Sequence, residues 1–434
     1  MTHINATRPS TQPAARPSKH GLAALGPGLI TGASDDDPSG IATYSQVGAQ
    51  FGYDLLWAML FSYPLMAGIQ EISARIGRVT GHGIAGAMRR HSPAWVMYPV
   101  VALMVTANVI NLGADIGAMG AATTLLIGGP AHLYAALFAL TSLALQIFIP
   151  YHRYVAVLKW LTVVLFAYVA TVFIVRVPWG EAIRHTLVPA ITLSPTYLTG
   201  LIAVLGTTIS PYLFFWQASE EAEEEQDNPH ESALVDAPAQ APAQLKRIKL
   251  DTYTGMAFSN AVAFFIILTA AVTLHAQGKT DIQTAAQAAE ALRPVAGPFA
   301  FLLFALGIIG TGLLAVPVLA GSAAYAVGEV LQWPTGLERT PLEARGFYVI
   351  LALATLLGLG LNFTSIDPVQ ALFWSAVING VVAGPVMIIV MLLASNARVM
   401  GEFTISFWLK IFGWTATAVM ITAAIGLFAT WGRT

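Results

Sequence analysis

Long apolar runs alternate with short polar connections along the whole chain. Many of these runs hold 18 or more residues with almost no charge, enough to cross a bilayer as helix. They predict eleven spans, at about 22–47, 53–76, 94–126, 131–149, 154–177, 196–218, 252–276, 297–329, 345–361, 367–394 and 405–431. The stretches 94–126 and 297–329 are long enough to tilt or to extend beyond the bilayer. The pattern therefore predicts an all-α polytopic membrane protein.

Two of the runs are broken by polar residues. The first contains Ser34-Asp35-Asp36-Asp37-Pro38-Ser39-Gly40. A charged side chain at mid-bilayer depth costs roughly 2.5–3.5 kcal/mol on insertion scales. A broken helix must also have its freed backbone groups satisfied by protein, water or ligand. Three consecutive acids there point to a cavity that handles charge. The sixth run contains Gly206-Thr207-Thr208-Ile209-Ser210-Pro211-Tyr212, with Gly and Pro around a short polar stretch. Spans one and six are the first members of two five-helix halves. Interrupted helices at corresponding positions in two halves are the sequence mark of a transporter site. The plainer alternative is a proline kink in each helix.

Composition narrows the chemistry. The 434 residues are 56% hydrophobic and 10% charged, so a soluble domain is excluded. The absence of cysteine excludes disulfides, thiolate metal sites and thiol catalysis. No basic stripe points to nucleic acid, and no obligate protein partner is evident. No ATP-binding motif is present, which leaves secondary transport or facilitated diffusion and not an enzyme. Residues 1–20 read as a disordered cytoplasmic tail and not as a cleaved signal peptide.

Basic residues set the expected orientation. With the N-terminus in the cytoplasm, sixteen of the 21 Lys and Arg residues fall inside and five outside. The odd span number then puts the C-terminus outside, and a bacterial inner membrane is the expected location. The largest hydrophilic break, 219–250, carries Glu220, Glu221, Glu223, Glu224 and Glu225, then Lys246, Arg247 and Lys249. It reads as a solvated, partly disordered cytoplasmic loop, with attraction of cations or regulation as the alternative.

With these features the chain resembles the NRAMP family of divalent-metal transporters over roughly residues 21–410. The resemblance rests on Gly26-Pro27-Gly28, on Asp37-Pro38, on Phe51-Gly52-Tyr53, on Gly206 through Leu213, and on Val399-Met400-Gly401-Glu402-Phe403. It implies a LeuT-like fold: two inverted five-helix repeats, about 21–178 and 196–396, followed by an eleventh helix at 405–431. It further implies alternating access around the two breaks, with a divalent metal ion as substrate and no cofactor. The family's site aspartate is kept as Asp37. Its asparagine partner is Gly40 here, its methionine is Ser210, its histidine is Tyr212 and its second asparagine is Leu213. A divergent NRAMP-related branch that lacks the methionine is linked to Mg²⁺, and this chain is similar to it in that respect.

Ligand softness gives these replacements a direction. Thioether and imidazole suit later transition metals, whereas carboxylate, carbonyl and water suit Mg²⁺, Ca²⁺ and Mn²⁺. The expected metal site is Asp37 with the Ser210 hydroxyl, carbonyls freed near Ser34 and Thr207, and the neighbouring Gly40. Asp36 is expected as a second ligand or water holder. Asp35 is expected to hold a backbone amide or a basic partner. Asp115 in span three reads as a proton or water pathway or as a structural hydrogen bond. Asn379 reads as completing a coordination shell or as bonding between helices. Glu71 is expected to pair with Arg75 or Arg78 at the inner surface. His82, His132 and His275 fall at span ends, and Tyr212 titrates too high to serve as a proton relay near neutral pH. The rival readings are a non-metal solute on the same fold and a non-transporting sensor.

Overall fold

The computed structural model describes residues 27–149, 153, 161–364 and 366–430. The expected tail at 1–20 and the start of the fifth span at 154–160 lie outside the described residues. Every regular element among the described residues is helical. The first span is two helices, α1 (Pro27–Asp35) and α2 (Pro38–Phe51). Then come α3 (Leu56–Thr80), the short α4 (Ile84–His91), α5 (Ala94–Ile127) and α6 (Ala131–Phe148). Helix α7 (Phe166–Ile174) closes the fifth span, and α8 (Trp179–Leu187) follows it.

The sixth span is again split, into α9 (Pro195–Thr208) and α10 (Pro211–Asp227). The remaining spans are α11 (Ala241–Thr273), α12 (Ala300–Leu331), α13 (Arg345–Leu361), α14 (Pro368–Ser395) and α15 (Phe407–Thr430). Seven helical stretches among the described residues are long and apolar enough to cross a membrane by themselves. The other four expected spans miss that measure for visible reasons. The first is halved, the second carries Gln70, Glu71, Arg75 and Arg78, the fifth is only partly described, and α13 is 17 residues long.

Contacts at the helix ends sort the connections onto two faces. On one face Arg78 bonds Glu231, the amides of Gly83 and Gly86 bond Glu329, and Glu223 takes the amides of Leu337 and Glu338. On the other face the His275 ring meets the Ala49 carbonyl, His185 meets Asp54, and the Ile282 amide meets Gln46. Helix α1 starts towards the first face and α9 towards the second, so the two broken spans run in opposite directions.

Burial separates centre from periphery. The most apolar stretch of the sixth span is 94% buried, while that of α6 is 22% buried and presents Leu133, Leu137 and Leu140 outward. Broken helices carry unsatisfied backbone groups and belong inside protein; unbroken apolar helices can face lipid.

The 219–250 segment departs from the expected loop. Helix α10 runs on to Asp227 and α11 begins at Ala241. Glu221 is fully buried and accepts from Arg247 at 2.5 Å, and Glu223 accepts from the Tyr325 hydroxyl. The acids are fastened to α11 and α12, so most of them are not a solvated, cation-attracting fringe. Nothing local to the segment encodes this, because the partners Arg247 and Tyr325 are set by the fold and not by the acidic run itself.

Candidate functional site

Each break follows from one proline. Pro38 has no N–H, so the carbonyl of Ser34, four residues earlier, loses its helical donor; Pro211 does the same to Thr207. In the fold both carbonyls find side chains. The Tyr212 hydroxyl points to the Ser34 carbonyl at 3.3 Å, and the Ser210 hydroxyl donates to the Thr207 and Gly206 carbonyls, both at 2.9 Å. Tyr212 therefore links the second break to the first.

Asp37 caps α2. Its Oδ1 accepts the Gly40 amide at 2.6 Å, and its Oδ2 accepts from the Asn111 side chain at 2.9 Å and faces the Tyr212 hydroxyl at 3.4 Å. A carboxylate offers about four lone-pair positions, so these donors orient the group without saturating it. Gly40 contributes by lacking a side chain: a Cβ there would stand 3.1 Å from Thr207 Oγ1. The two breaks can thus lie against one another.

Asp35 and Asp36 turn to α11. Ser259 Oγ donates to Asp35 Oδ2 at 2.5 Å and lies 3.2 Å from Asp36 Oδ1. The basic or amide partner expected for Asp35 is replaced by this hydroxyl. Asp251, two helical turns before Ser259, accepts the amides of Gly28 and Leu29 at the start of α1. Between them, Gly255 meets α1 at Gly32, where a Cβ would come within 2.3 Å of the Gly255 backbone. Positions 251, 255 and 259 are four apart and share one helical face, so α11 reads α1 from end to end.

The three adjacent acids therefore divide: one to α5 and α10, two to α11. Among the described residues no three His, Cys, Asp or Glu side chains converge as a ready metal cage. No Lys or Arg among the described residues forms an ion pair with Asp35, Asp36, Asp37 or Asp115. All four are buried. Among the described residues, Asp35 Oδ1, Asp36 Oδ2, Asn111 Oδ1, Asn379 Oδ1 and Ser34 Oγ have no hydrogen-bond partner. Orphaned buried acceptors each cost about 1–3 kcal/mol. An oxygen-rich, uncompensated set of this kind is suited to a cation.

Asp115 has Asp37 and the Ser39 amide as its electrostatic neighbours. Ser39 Oγ meets Ser375 Oγ at 3.3 Å, and Asn379 lies one turn beyond Ser375 on the same face of α14. Ser210 is back-bonded into its own span, and its hydroxyl proton is committed there. Glu71 pairs with Arg75 at 2.6 Å, whereas Arg78 goes to Glu231 instead. His132 and His275 are exposed at helix ends as expected.

Two residues at the site were missed from sequence. Asn111 had a signal, since Asn108, Asn111 and Asp115 are spaced to share one face of α5. Ser259 had none, because a lone serine in an apolar helix is commonplace.

Comparison with known proteins places this geometry. The family model described as "Natural resistance-associated macrophage protein-like" matches residues 28–430. The divalent metal cation transporter MntH of Klebsiella pneumoniae (strain 342) is 26% identical over 426 residues, covering 95% of each chain. MntH of Acidiphilium cryptum (strain JF-5) is 26% identical over 393 residues, 88% of this chain and 84% of that one. The crystal structure of the Eremococcus coleocola manganese transporter superposes with a TM-score of 0.72 at 18% identity, covering 94% of this chain and 87% of that one. MhsT in complex with L-phenylalanine superposes with a TM-score of 0.63 at 13% identity, covering 93% and 98%. The fold is LeuT-like, and it is shared by a manganese transporter and by a protein in complex with L-phenylalanine, so the fold alone does not name the cargo.

Proposed function

The chain belongs to the Nramp family, and we propose that it is a secondary transporter of divalent cations, favouring hard, partly hydrated ions such as Mg²⁺ or Mn²⁺. The observation that carries this reading is the donor chemistry at the meeting point of the two proline breaks. Carboxylate, amide and carbonyl oxygens of Asp37, Asn111 and Ser34 gather there, and the positions aligned with the family's thioether and imidazole hold Ser210 and Tyr212. Oxygen donors without sulfur or imidazole suit hard cations. Mg²⁺ gives up water reluctantly and commonly uses one or two carboxylates, retaining several waters. Asp37 supplies the first carboxylate, while Asp36, turned to Ser259, keeps Oδ2 unpartnered.

The chain would work by alternating access around the midplane site between the breaks in spans one and six. The N-terminus would lie in the cytoplasm and the C-terminus outside. In this conformation the site is closed to both faces: Asp37, Ser210 and Thr207 are each 2% exposed.

The test is flux into liposomes holding the purified protein. External Mg²⁺ or Mn²⁺ should enter, and Asp37→Ala should abolish entry while the protein remains folded. Absence of any divalent flux from folded wild type would overturn the reading; near-normal flux through Asp37→Ala would place the site elsewhere.

A further inference from the structure

A cavity with a mixed polar and apolar lining stands between α2, α9, α14 and the 281–283 segment, on the face opposite the Arg78–Glu231 contact. Its volume is about 410 Å³. Three helices carry its wall down to the site. Ala42 is five residues beyond Asp37 on α2, Thr199 is eight before Thr207 on α9, and Phe373 is six before Asn379 on α14. At 1.5 Å per residue the cavity floor lies roughly 8–12 Å from the site. Between these lining residues and the site, Ser39 Oγ meets Ser375 Oγ and the Leu372 carbonyl, both at 3.3 Å.

The polar lining is unlike that of the buried site. It offers side-chain amides from Gln46, Gln50, Gln283 and Gln370, hydroxyls from Thr196 and Thr199, and one carboxylate, Asp281. The wall is pinned: Gln46 Oε1 holds the Ile282 amide at 2.8 Å, Gln46 Nε2 donates to Gln50 Oε1, and Gln283 Nε2 donates to Asp281 Oδ2 at 2.8 Å. Because Gln46 is engaged with Gln50 and Ile282, and Gln283 with Asp281, the lining does not replace a divalent ion's hydration shell. It can hydrogen-bond to the waters in that shell. Six waters in octahedral array occupy roughly 180 Å³ at about 30 Å³ each, well within this cavity.

We propose that this vestibule is an entry site that receives a divalent cation with its inner water shell intact, drawn in by Asp281 and held through its waters by the amide and hydroxyl wall. The inference rests on the transport reading above and adds where dehydration begins: below the Ser39–Ser375 contact and not in the vestibule.

The probe is hexaamminecobalt(III), which matches a hydrated divalent ion in shape and cannot shed its ligands. It should compete with external Mg²⁺ for wild-type uptake without being carried. Asp281→Asn should raise the half-saturating external Mg²⁺ about fivefold with the maximum rate unchanged, because one nearby charge is lost. The same variant should weaken the hexaammine block, and added salt should shrink both differences. Calorimetry of hexaamminecobalt(III) on purified protein reads the site without flux and should show the same loss in Asp281→Asn. An unchanged half-saturation, or equal hexaammine binding by wild type and variant, would overturn the proposal. If wild type carries no divalent ion but still binds the complex through Asp281, the transport reading fails and the vestibule site stands.

Discussion

Asn111 donates its side-chain amide to Oδ2 of Asp37 at 2.9 Å, fastening the third span to the break in the first. The same amide leaves Oδ1 without a partner beside that carboxylate. Asn111 thus orients the acid and offers a second oxygen to the same position. Asn111→Ala should raise the half-saturating Mg²⁺ concentration by tenfold or more. Losing a charge-assisted hydrogen bond should also cost about 1–3 kcal/mol of stability. Uptake kinetics together with thermal unfolding in detergent separate the two effects. Asn111→Asp restores an oxygen but no donor, and two facing carboxylates should then make binding more dependent on pH than in wild type.

Ser259 is the hydroxyl shared by Asp35 and Asp36. Ser259→Ala removes the donor and leaves two buried acids facing an apolar methyl. Transport should fall severalfold while Ser259→Thr, which keeps the hydroxyl, retains most of it. Equal activity in the Ala and Thr variants would show that the pair does not depend on α11.

Ser210 closes the break in the sixth span by bonding the carbonyls of Gly206 and Thr207. Ser210→Met removes that cap and brings a soft thioether to the junction. The ratio of Cd²⁺ to Mg²⁺ affinity, read by calorimetry, should rise. Ser210→Ala removes the cap alone, so it should destabilise the protein by about 1 kcal/mol without moving that ratio. A ratio unchanged in Ser210→Met would mean that position 210 does not face the ion.

Gly32 lies against the backbone of Gly255, where a Cβ would approach within 2.3 Å. Backbone cannot move aside as a flexible side chain can. Gly32→Ala should force α1 away from α11, costing about 1–3 kcal/mol or more by overpacking. The expected result is a lower melting temperature and reduced flux. Gly180, where a Cβ would meet nothing within 4 Å, is the matched control and Gly180→Ala should behave as wild type.

The linear order of residues determined the spans and the two breaks, for a local reason. Span length and charge depletion are properties of contiguous sequence, and a proline deletes its own amide wherever it sits. Asp37, Pro38, Ser210 and Pro211 were therefore legible as the ends of broken helices, and Ser34 and Thr207 as the carbonyls those prolines set free. The partners of those groups were decided by tertiary structure. Ser259 reaches Asp35 across 224 positions, Tyr212 reaches Ser34 across 178, and Asn111 reaches Asp37 across 74. No local pattern encodes such meetings, because they depend on how α5, α10 and α11 are packed around α1. The same packing split three adjacent acids into a single carboxylate and a pair. It also turned the acidic 220–225 run from an expected solvated loop into fastenings for α11 and α12, since only the folded chain brings Arg247 and Tyr325 within reach.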